Sequence, residues 1–187
     1  MTNHRSQSTE KDVDAIINFW RKAGPKHWFA RDAAFDAEFR TRFLSLHEAA
    51  AQGKLDDWAN DAFGALALLI LLDQFPRNAF RDTPRMYATD AQARQVADHA
   101  IGSGFDLHAP NDLRLFFYLP FAHAESLADQ DRSVELTKRL GLEYVKHALE
   151  HREIIHRFGR FPHRNELLGR TTTVEEEHFL DEGGFAG

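Results

Sequence analysis

Apolar residues recur at helical spacing along nearly the whole chain, and this periodicity constrains the fold more than any other feature. The first two apolar stripes are Val13, Ile16, Ile17 and Trp20, followed by Phe35, Phe39, Phe43, Leu46 and Ala50. Residues three and four positions apart share one face of an α-helix, and the alternating pattern of strands is nearly absent. Gly24-Pro25 and Gly53 follow the two stripes and are expected to end their helices. The pattern predicts an all-α protein.

Further stripes and capping residues predict helices along the rest of the chain. The inward-facing positions are Trp58, Ala62, Ala65, Leu66, Leu69 and Leu72; Ala93, Val96, Ala97 and Ile101; Leu113, Phe116, Phe117 and Phe121; Val134, Thr137 and Leu140; and Leu142, Val145, Leu149, Ile155 and Phe158. The expected N-caps are Asp56 or Asp57, Thr89, Asn111 or Asp112, Ser126 or Asp129, and Thr173. Thr173 and Glu176 form a capping-box pattern, Gly159 should end the long helix, and residues 78–85 should form a loop. The sequence thus predicts about nine helices, stacked as antiparallel pairs.

The composition limits the class of protein. The 187-residue chain fits a single domain, residues 1–187, in which residues 183–187 form a frayed tail. The absence of cysteine excludes disulfides and thiolate metal sites and suits a cytoplasmic protein. A net charge of −6 argues against nucleic acid as a partner. Residues 1–14 form no apolar signal segment, and the longest apolar run, residues 65–72, is far shorter than the roughly 20 residues that cross a membrane.

A short phrase occurs twice, each time after an apolar helical run. The first copy is Phe75-Pro76-Arg77-Asn78, and the second, Phe161-Pro162-His163-Arg164-Asn165, begins 86 positions later (161 − 75). Because proline disfavours continuation of a helix, each phrase predicts a fixed corner that aims its arginine and asparagine. The recurrence fits either a divergent duplication of two halves or a locally useful turn.

The polar side chains at these corners have two interpretations. The candidate ligand-binding residues are Asp73, Gln74, Arg77, Asn78, Arg160, His163, Arg164 and Asn165. Guanidinium groups bind carboxylates or phosphates through paired hydrogen bonds, and amides can fix the orientation of a ligand. In the first interpretation, both corners contribute to one anion pocket. In the second, the arginines, including Arg81, clamp acids such as Asp73 and Asp129 or helix C-terminal carbonyls and so form a structural ion-pair network.

His123 and Glu125 follow Pro120 and form a candidate catalytic pair. A carboxylate beside an imidazole orients the ring and raises its basicity, as a general base requires. On a regular helix, however, positions two apart diverge. The alternative is therefore that Glu125 or Asp129 caps the next helix.

Two histidines of the long helix raise the question of a metal site. His147 and His151 are four residues apart, a workable spacing for metal ligands, but the chain has no His-Glu-x-x-His motif. The alternative is a solvated helical face. Possible third ligands are Glu143, Glu150, Glu125 and His123. Phosphate loops, dinucleotide-binding glycine motifs and nucleophile elbows are also absent, so neither a metal nor a cofactor is predicted.

Three phrases together resemble the bacterial family known as domain of unknown function 924. They are residues 71–78, residues 119–125 with Asp129-Gln130, and residues 158–165 with residues 168–170. The resemblance extends from about Phe19 to Leu180. It implies an all-helical, right-handed stack of antiparallel pairs similar to tetratricopeptide-repeat proteins, although the regular period of those repeats is not present. It implies no activity, because the family has none established.

Three functional hypotheses follow from the sequence. The first is a cytoplasmic binding module whose groove, lined by arginine, asparagine and histidine, holds a small anionic molecule or a peptide. The second is a hydrolase for an acidic or phosphorylated small molecule, with His123 as general base and arginines stabilising negative charge in the transition state. The third is a purely structural role in which the polar groups pair with one another.

Overall fold

The chain folds into helices joined by short turns. The structure is a computed structural model that describes residues 7–185. The α-helices are α1 (Gln7–Ala23), α2 (Pro25–Trp28), α3 (Ala33–Ala51), α4 (Ala62–Leu69), α5 (Phe75–Ala79), α6 (Asp90–Gly102), α7 (Phe105–His108), α8 (Leu119–Ala122), α9 (Leu127–Thr137), α10 (Leu142–Phe158) and α11 (Val174–Asp181). Other helical turns are Asp56–Asn60, Ile70–Gln74, Pro84–Tyr87, Asn111–Phe117 and Pro162–Arg164.

The all-α prediction is confirmed, since residues 7–185 contain no strand. This part of the chain has seven α-helices of eight or more residues and four shorter ones, where the sequence predicted about nine helices. Stacking in the right-handed manner of tetratricopeptide repeats stays a prediction. None of the helices between residues 7 and 185 combines the length and the apolar character that a membrane span requires.

The described residues fall into two compact units. The N-terminal unit comprises residues 7–81 and 85–120, and the C-terminal unit comprises residues 82–84 and 121–185. The first Phe-Pro phrase belongs to the N-terminal unit and the second to the C-terminal unit. The predicted frayed tail is described as far as Phe185; residues 186 and 187 lie outside the described part, as do residues 1–6 of the N-terminal segment.

In the core of the N-terminal unit, the predicted stripe of α1 packs against α4, and α3 packs against the turn Ile70–Gln74 and α5. Val13, Ile16, Ile17 and Trp20 are all buried, as expected. Asp32 caps α3, because its carboxylate accepts hydrogen bonds from two amides of the first turn. The cap of α4 was predicted wrongly at Asp56 or Asp57. Those residues lie in a 3-10 turn, and Asp61 caps the helix instead by accepting from the amides of Phe63 and Gly64.

The first Phe-Pro phrase does not end a helix, which corrects the sequence-based prediction. Helix α4 passes into a π turn, Ile70–Gln74, and the chain continues as α5 to Ala79. In the π turn, the Phe75 amide bonds the Ile70 carbonyl, five residues back. The wider turn gives the proline ring space, and Pro76 then stands in the first turn of α5, where its missing N–H costs little. Asn78 and Ala79, predicted as loop, are therefore helical.

Two further expected caps make no capping hydrogen bond. Thr89 stands directly before α6, but its hydroxyl donates to the Leu72 carbonyl (2.5 Å) and makes no capping bond. The segment after Pro110 is a 3-10 helix, Asn111–Phe117, without a side-chain cap. There, Asn111 Oδ1 accepts from Arg114 and the Asp112 carboxylate accepts from Arg21, so neither side chain caps the turn.

In the C-terminal unit, α9 packs against α10, and α11 packs near the turn that follows α10. Ser126 caps α9, which confirms one of the two predicted choices. The capping box of Thr173 and Glu176 is also confirmed at the start of α11. The predicted stripe of α10 is only half right. Ile155 is buried, whereas Leu142 is 88% exposed and Leu149 is 49% exposed.

The split of the α10 stripe gives a test of the packing. Ile155→Ala should lower the free energy of unfolding by about 2–4 kcal/mol, because Ile155 packs with Ile154 and Phe161 in a buried cluster. Leu142→Ala should change it by less than about 0.5 kcal/mol. Urea unfolding followed by circular dichroism measures both values. Equal losses in the two variants would contradict the exposure of the first turn of α10.

Candidate functional site

The polar residues of the first corner are engaged by one another and by neighbouring acids. Arg77 forms a fork on Asp90, with Nη1–Oδ1 and Nη2–Oδ2 distances of 2.8 and 3.0 Å. Its Nη1 also donates to the main-chain carbonyl of Asp73 (2.7 Å) and lies 3.3 Å from the Asp73 carboxylate. Burial opposes the charge of Arg77, but the carboxylates of Asp73 and Asp90 outweigh burial and raise its pKa. This arginine therefore acts as an internal clamp.

The amides of the first corner extend this network. Gln74 Nε2 donates to Asp73 Oδ2 (2.6 Å), and Asn78 Nδ2 donates to the Gln74 carbonyl (2.9 Å). Asn78 Oδ1 in turn accepts from Arg81, whose guanidinium also binds both carboxylate oxygens of Asp36 (2.6 and 3.2 Å). These contacts support the structural interpretation for Asp73, Gln74, Arg77 and Asn78.

The second corner is a true helix end. Gly159 follows α10 with φ 68°, a left-handed conformation that favours glycine, and its amide bonds the Ile155 carbonyl. The chain then extends through Phe161 and forms the short turn Pro162–Arg164. Phe161 is buried, and its ring anchors the corner in the cluster with Ile154 and Ile155.

Arg160 and Asn165 converge on a buried carboxylate, Glu176, for which the sequence predicted only a role in helix capping. Arg160 Nε and Nη2 bind Oε1 and Oε2 of Glu176 at 2.6 and 2.8 Å. Asn165 Nδ2 and the Thr173 amide also donate to Oε2, at 3.2 and 2.8 Å. The Arg160 hydrogen bonds are the main cause that lowers the pKa of Glu176 to about 2. Arg160 and Glu176 therefore fix α11 to the corner.

Glu125 is bound by Arg170, which was not among the predicted site residues. The Arg170 guanidinium meets the Glu125 carboxylate at 2.7 and 3.0 Å, and the Phe161 amide donates to the same carboxylate at 2.8 Å. Burial acts to raise the pKa of Glu125, but these hydrogen bonds outweigh it, so the pKa is lowered. Glu125 thus ties its segment to the second corner, and its role as the carboxylate that orients His123 stays a prediction. The only signal for Arg170 was its place in the third family phrase.

Two imidazole rings, those of His151 and His163, lie beside the Phe161 ring at this corner. The His151 and His163 rings lie 5.6 Å from the Phe161 ring, measured between centroids. His151 Nδ1 donates to the His147 carbonyl (3.0 Å), which leaves Nε2 unprotonated in the neutral ring. Burial, followed by the proximity of His123, lowers the pKa of His151 to about 4. Burial, followed by Arg164 and His151, lowers the pKa of His163 to about 3. Both rings are therefore neutral near pH 7.

Three buried polar atoms of the second corner have no hydrogen-bond partner among residues 7–185. They are His163 Nδ1, Asn165 Oδ1 and Arg170 Nε. Arg164 stands in the same cluster; it is 6% exposed, and its guanidinium carbon lies 4.4 Å from the centroid of the Phe161 ring. Buried polar groups are normally satisfied, so unsatisfied ones at one corner indicate a place for water or a ligand.

The neutral imidazoles give a pH test. Stability is expected to fall as the pH drops from about 6.5 towards 4, because the unfolded chain binds protons on His151 and His163 that the folded protein excludes. Each imidazole contributes a slope of up to about 1.4 kcal/mol per pH unit in this range. Urea unfolding at a series of pH values measures the slope. His163→Gln should reduce it, while His156→Gln on the exposed face of α10 should not; identical slopes would contradict the assignment.

The described side chains around His147 and His151 do not form a group of metal ligands. Within residues 7–185, no three histidine, aspartate or glutamate side chains are grouped as a metal ion requires. His147 Nδ1 lies 3.4 Å from the Glu150 carboxylate, an exposed pair on one face of α10.

Comparison with known proteins identifies the family. Residues 16–184 match the family described as "Bacterial protein of unknown function (DUF924)". A solved structure, the protein of unknown function ATU0120 from Agrobacterium tumefaciens, is 55% identical, with a TM-score of 0.91 over 94% of this chain and 99% of that chain. No curated protein matches the chain. With a match over nearly all its length and a close structural relative, the chain belongs to the DUF924 family.

Proposed function

We propose that the protein is a binding module that holds a small anionic ligand at the second Phe-Pro corner. The observation that carries the proposal is the group of buried polar atoms without partners among the described residues: His163 Nδ1, Asn165 Oδ1 and Arg170 Nε. Buried polar atoms are usually completed by protein, water or a ligand, because each unsatisfied group costs about 1–3 kcal/mol. The first corner offers no comparable group, since its arginine and amides bond internally.

The chemistry of the corner favours an anion. Arg170 Nε is a hydrogen-bond donor and so requires an acceptor. Arg164 adds a second positive charge close enough to His163 to lower its pKa. His163 can donate from one ring nitrogen while it stays neutral. A carboxylate or phosphate offers several acceptor oxygens to such donors. Asn165 Oδ1 suits a hydroxyl group or a water molecule at the edge of the ligand.

The contacts of Glu125 favour binding over the hydrolase hypothesis. A general base is most effective when a neighbouring carboxylate orients it, and both carboxylate oxygens of Glu125 already accept hydrogen bonds from Arg170 or the Phe161 amide. No other contact among the described residues identifies a nucleophile or a position for a bond to be hydrolysed. The proposal therefore gives His123, whose proximity helps to lower the pKa of His151, no catalytic role.

Isothermal titration with sodium phosphate and with sodium acetate tests the proposal. The protein should bind at least one of these anions, and Arg164→Gln should weaken that binding about tenfold or more, since a charge-assisted hydrogen bond contributes about 1.5–3 kcal/mol. Lys146→Gln is the matched control, because Lys146 is an exposed cation of the same unit. It should leave the affinity unchanged.

Two outcomes would contradict the anion site. One is that neither phosphate nor acetate binds, which would leave water as the occupant of the corner. The other is equal weakening in Arg164→Gln and Lys146→Gln, which would indicate a nonspecific charge effect. If Arg164→Gln does not fold, His163→Gln replaces it, because the amide keeps a polar group at the corner while removing the imidazole.

A further inference from the structure

An aromatic side chain near the C-terminus occupies the space beside the second corner. The Phe185 ring meets the His151 ring at a centroid distance of 4.6 Å and the His163 ring at 5.1 Å, both edge to face. The Phe161 ring lies 6.4 Å away. Phe185 therefore covers the rings of His151, His163 and Phe161, and the surface that these three rings form is called the slot below.

The chain after α11 is shaped to bring Phe185 back to this slot. Gly183 has φ 83°, in the left-handed region. The Gly184 amide bonds the Phe179 carbonyl (2.9 Å), and a Cβ at Gly184 would lie only 2.4 Å from that carbonyl oxygen. Only glycine allows this close approach. The turn therefore depends on two consecutive glycines, and it directs the next side chain onto the imidazoles.

The Phe185 side chain is only partly buried in this position. Phe185 is 41% exposed, whereas Phe161 in the wall is 1% exposed. An aromatic ring that leaves much of its surface in water gains little from its position and can be displaced by a better-fitting group. The walls themselves stay in place, because Phe161 is anchored in the buried cluster at the end of α10.

We propose that the slot formed by His151, His163 and Phe161, next to Arg164, receives the flat ring of an aromatic carboxylate, and that Phe185 occupies the slot until this ligand displaces it. The inference rests on the proposed function, since it names the ligand class of the same anion site. The carboxylate lies towards Arg164 and the unsatisfied donors of the corner, and the ring takes the position of Phe185. Imidazole and phenyl walls favour a flat, edge-to-face partner over a saturated one.

Titration with three carboxylates of equal charge tests the ligand class. Benzoate should bind about tenfold more tightly than acetate, because its ring is also removed from water. Cyclohexanecarboxylate, which has a similar apolar bulk but no flat ring, should bind more weakly than benzoate. Equal affinities for all three would overturn this inference and leave the anion site standing. Absence of binding by these carboxylates and by phosphate would overturn both proposals.

Displacement is tested by removing the occupant. Phe185→Ala should strengthen benzoate binding about threefold or more, because the slot is then open in every molecule. The affinity of the Phe185→Ala variant for acetate should equal that of the parent protein. Leu142→Ala, which removes an exposed apolar side chain of the same unit, is the control and should alter neither affinity. Weaker or unchanged benzoate binding by Phe185→Ala would contradict displacement.

Discussion

Replacing Arg77 with alanine is expected to lower the free energy of unfolding by about 3–5 kcal/mol. The change removes a guanidinium that binds Asp90 through two hydrogen bonds and also contacts the carboxylate of Asp73. Asp73 is only 1% exposed, so water cannot replace the lost cation. Removing one partner of a buried ion pair destabilises a protein strongly, because a charge stays buried. Urea unfolding at pH 7 measures the loss.

A surface arginine provides the matched control. Arg42 pairs with Glu38 four residues earlier, and both side chains are about half exposed, at 47% and 59%. Arg42→Ala should therefore change the free energy of unfolding by less than about 1 kcal/mol. If Arg77→Ala were as mild as Arg42→Ala, the first corner would not be a structural clamp, and its arginine would return as a candidate for ligand binding.

Replacing Glu176 with glutamine is expected to lower the free energy of unfolding by about 2–4 kcal/mol at pH 7. Glu176 is 2% exposed and accepts two hydrogen bonds from Arg160, one from Asn165 and one from the Thr173 amide. Glutamine keeps the size of the side chain. It replaces one acceptor oxygen with an amide that points a donor at another donor and leaves the Arg160 charge uncompensated.

The same substitution should change the response to acid. The folded pKa of Glu176, about 2, lies below the ordinary value of 4.5. Its contribution to stability is therefore fully present above about pH 4.5 and lost as the pH falls towards 2. The variant should show a flatter stability profile in that window. Glu175→Gln, at an exposed neighbouring position, is the control. A profile as steep as that of the parent protein would contradict the assignment.

Local signals in the sequence were sufficient to predict much of the helical structure. The stripe of α1 is buried as expected, α10 ends at Gly159, and Thr173 with Glu176 caps α11. Each of these features depends on residues within a few positions of one another, where spacing and capping chemistry decide the outcome. Proline at position 76 was one exception, because a π turn can place it in the first turn of a new helix and the sequence carries no sign of that turn.

Contacts between distant residues could not be predicted from the sequence. Arg81 pairs with Asp36 and Arg170 pairs with Glu125, and each pair is separated by 45 positions. Spacing within a helix gives no information on such partners, which depend on how the helices pack. The exposure of Leu142 is a similar case, since its helix carries a regular apolar stripe of which only one end meets the core.

The two copies of the Phe-Pro phrase show how one local pattern can have two structural outcomes. The first copy lies within a helical run that continues to Ala79, and its Arg77 is engaged by acids. The second copy follows a helix that ends at a left-handed glycine, and it leaves buried polar atoms without partners among the described residues. The similar residues of the two phrases predicted similar corners. The backbone before each phrase, however, determines which neighbouring groups its side chains contact.

Nuclear magnetic resonance of side-chain nitrogens during a titration with benzoate can observe the anion site at the second corner residue by residue. The resonances of His163 and Arg170 should shift with benzoate and saturate, while those of Arg77 should stay in place. Contacts between the Phe185 and His151 protons should disappear as the ligand binds. Shifts at Arg77 with none at His163, or no shift at any of these residues, would contradict an anion site at the second corner.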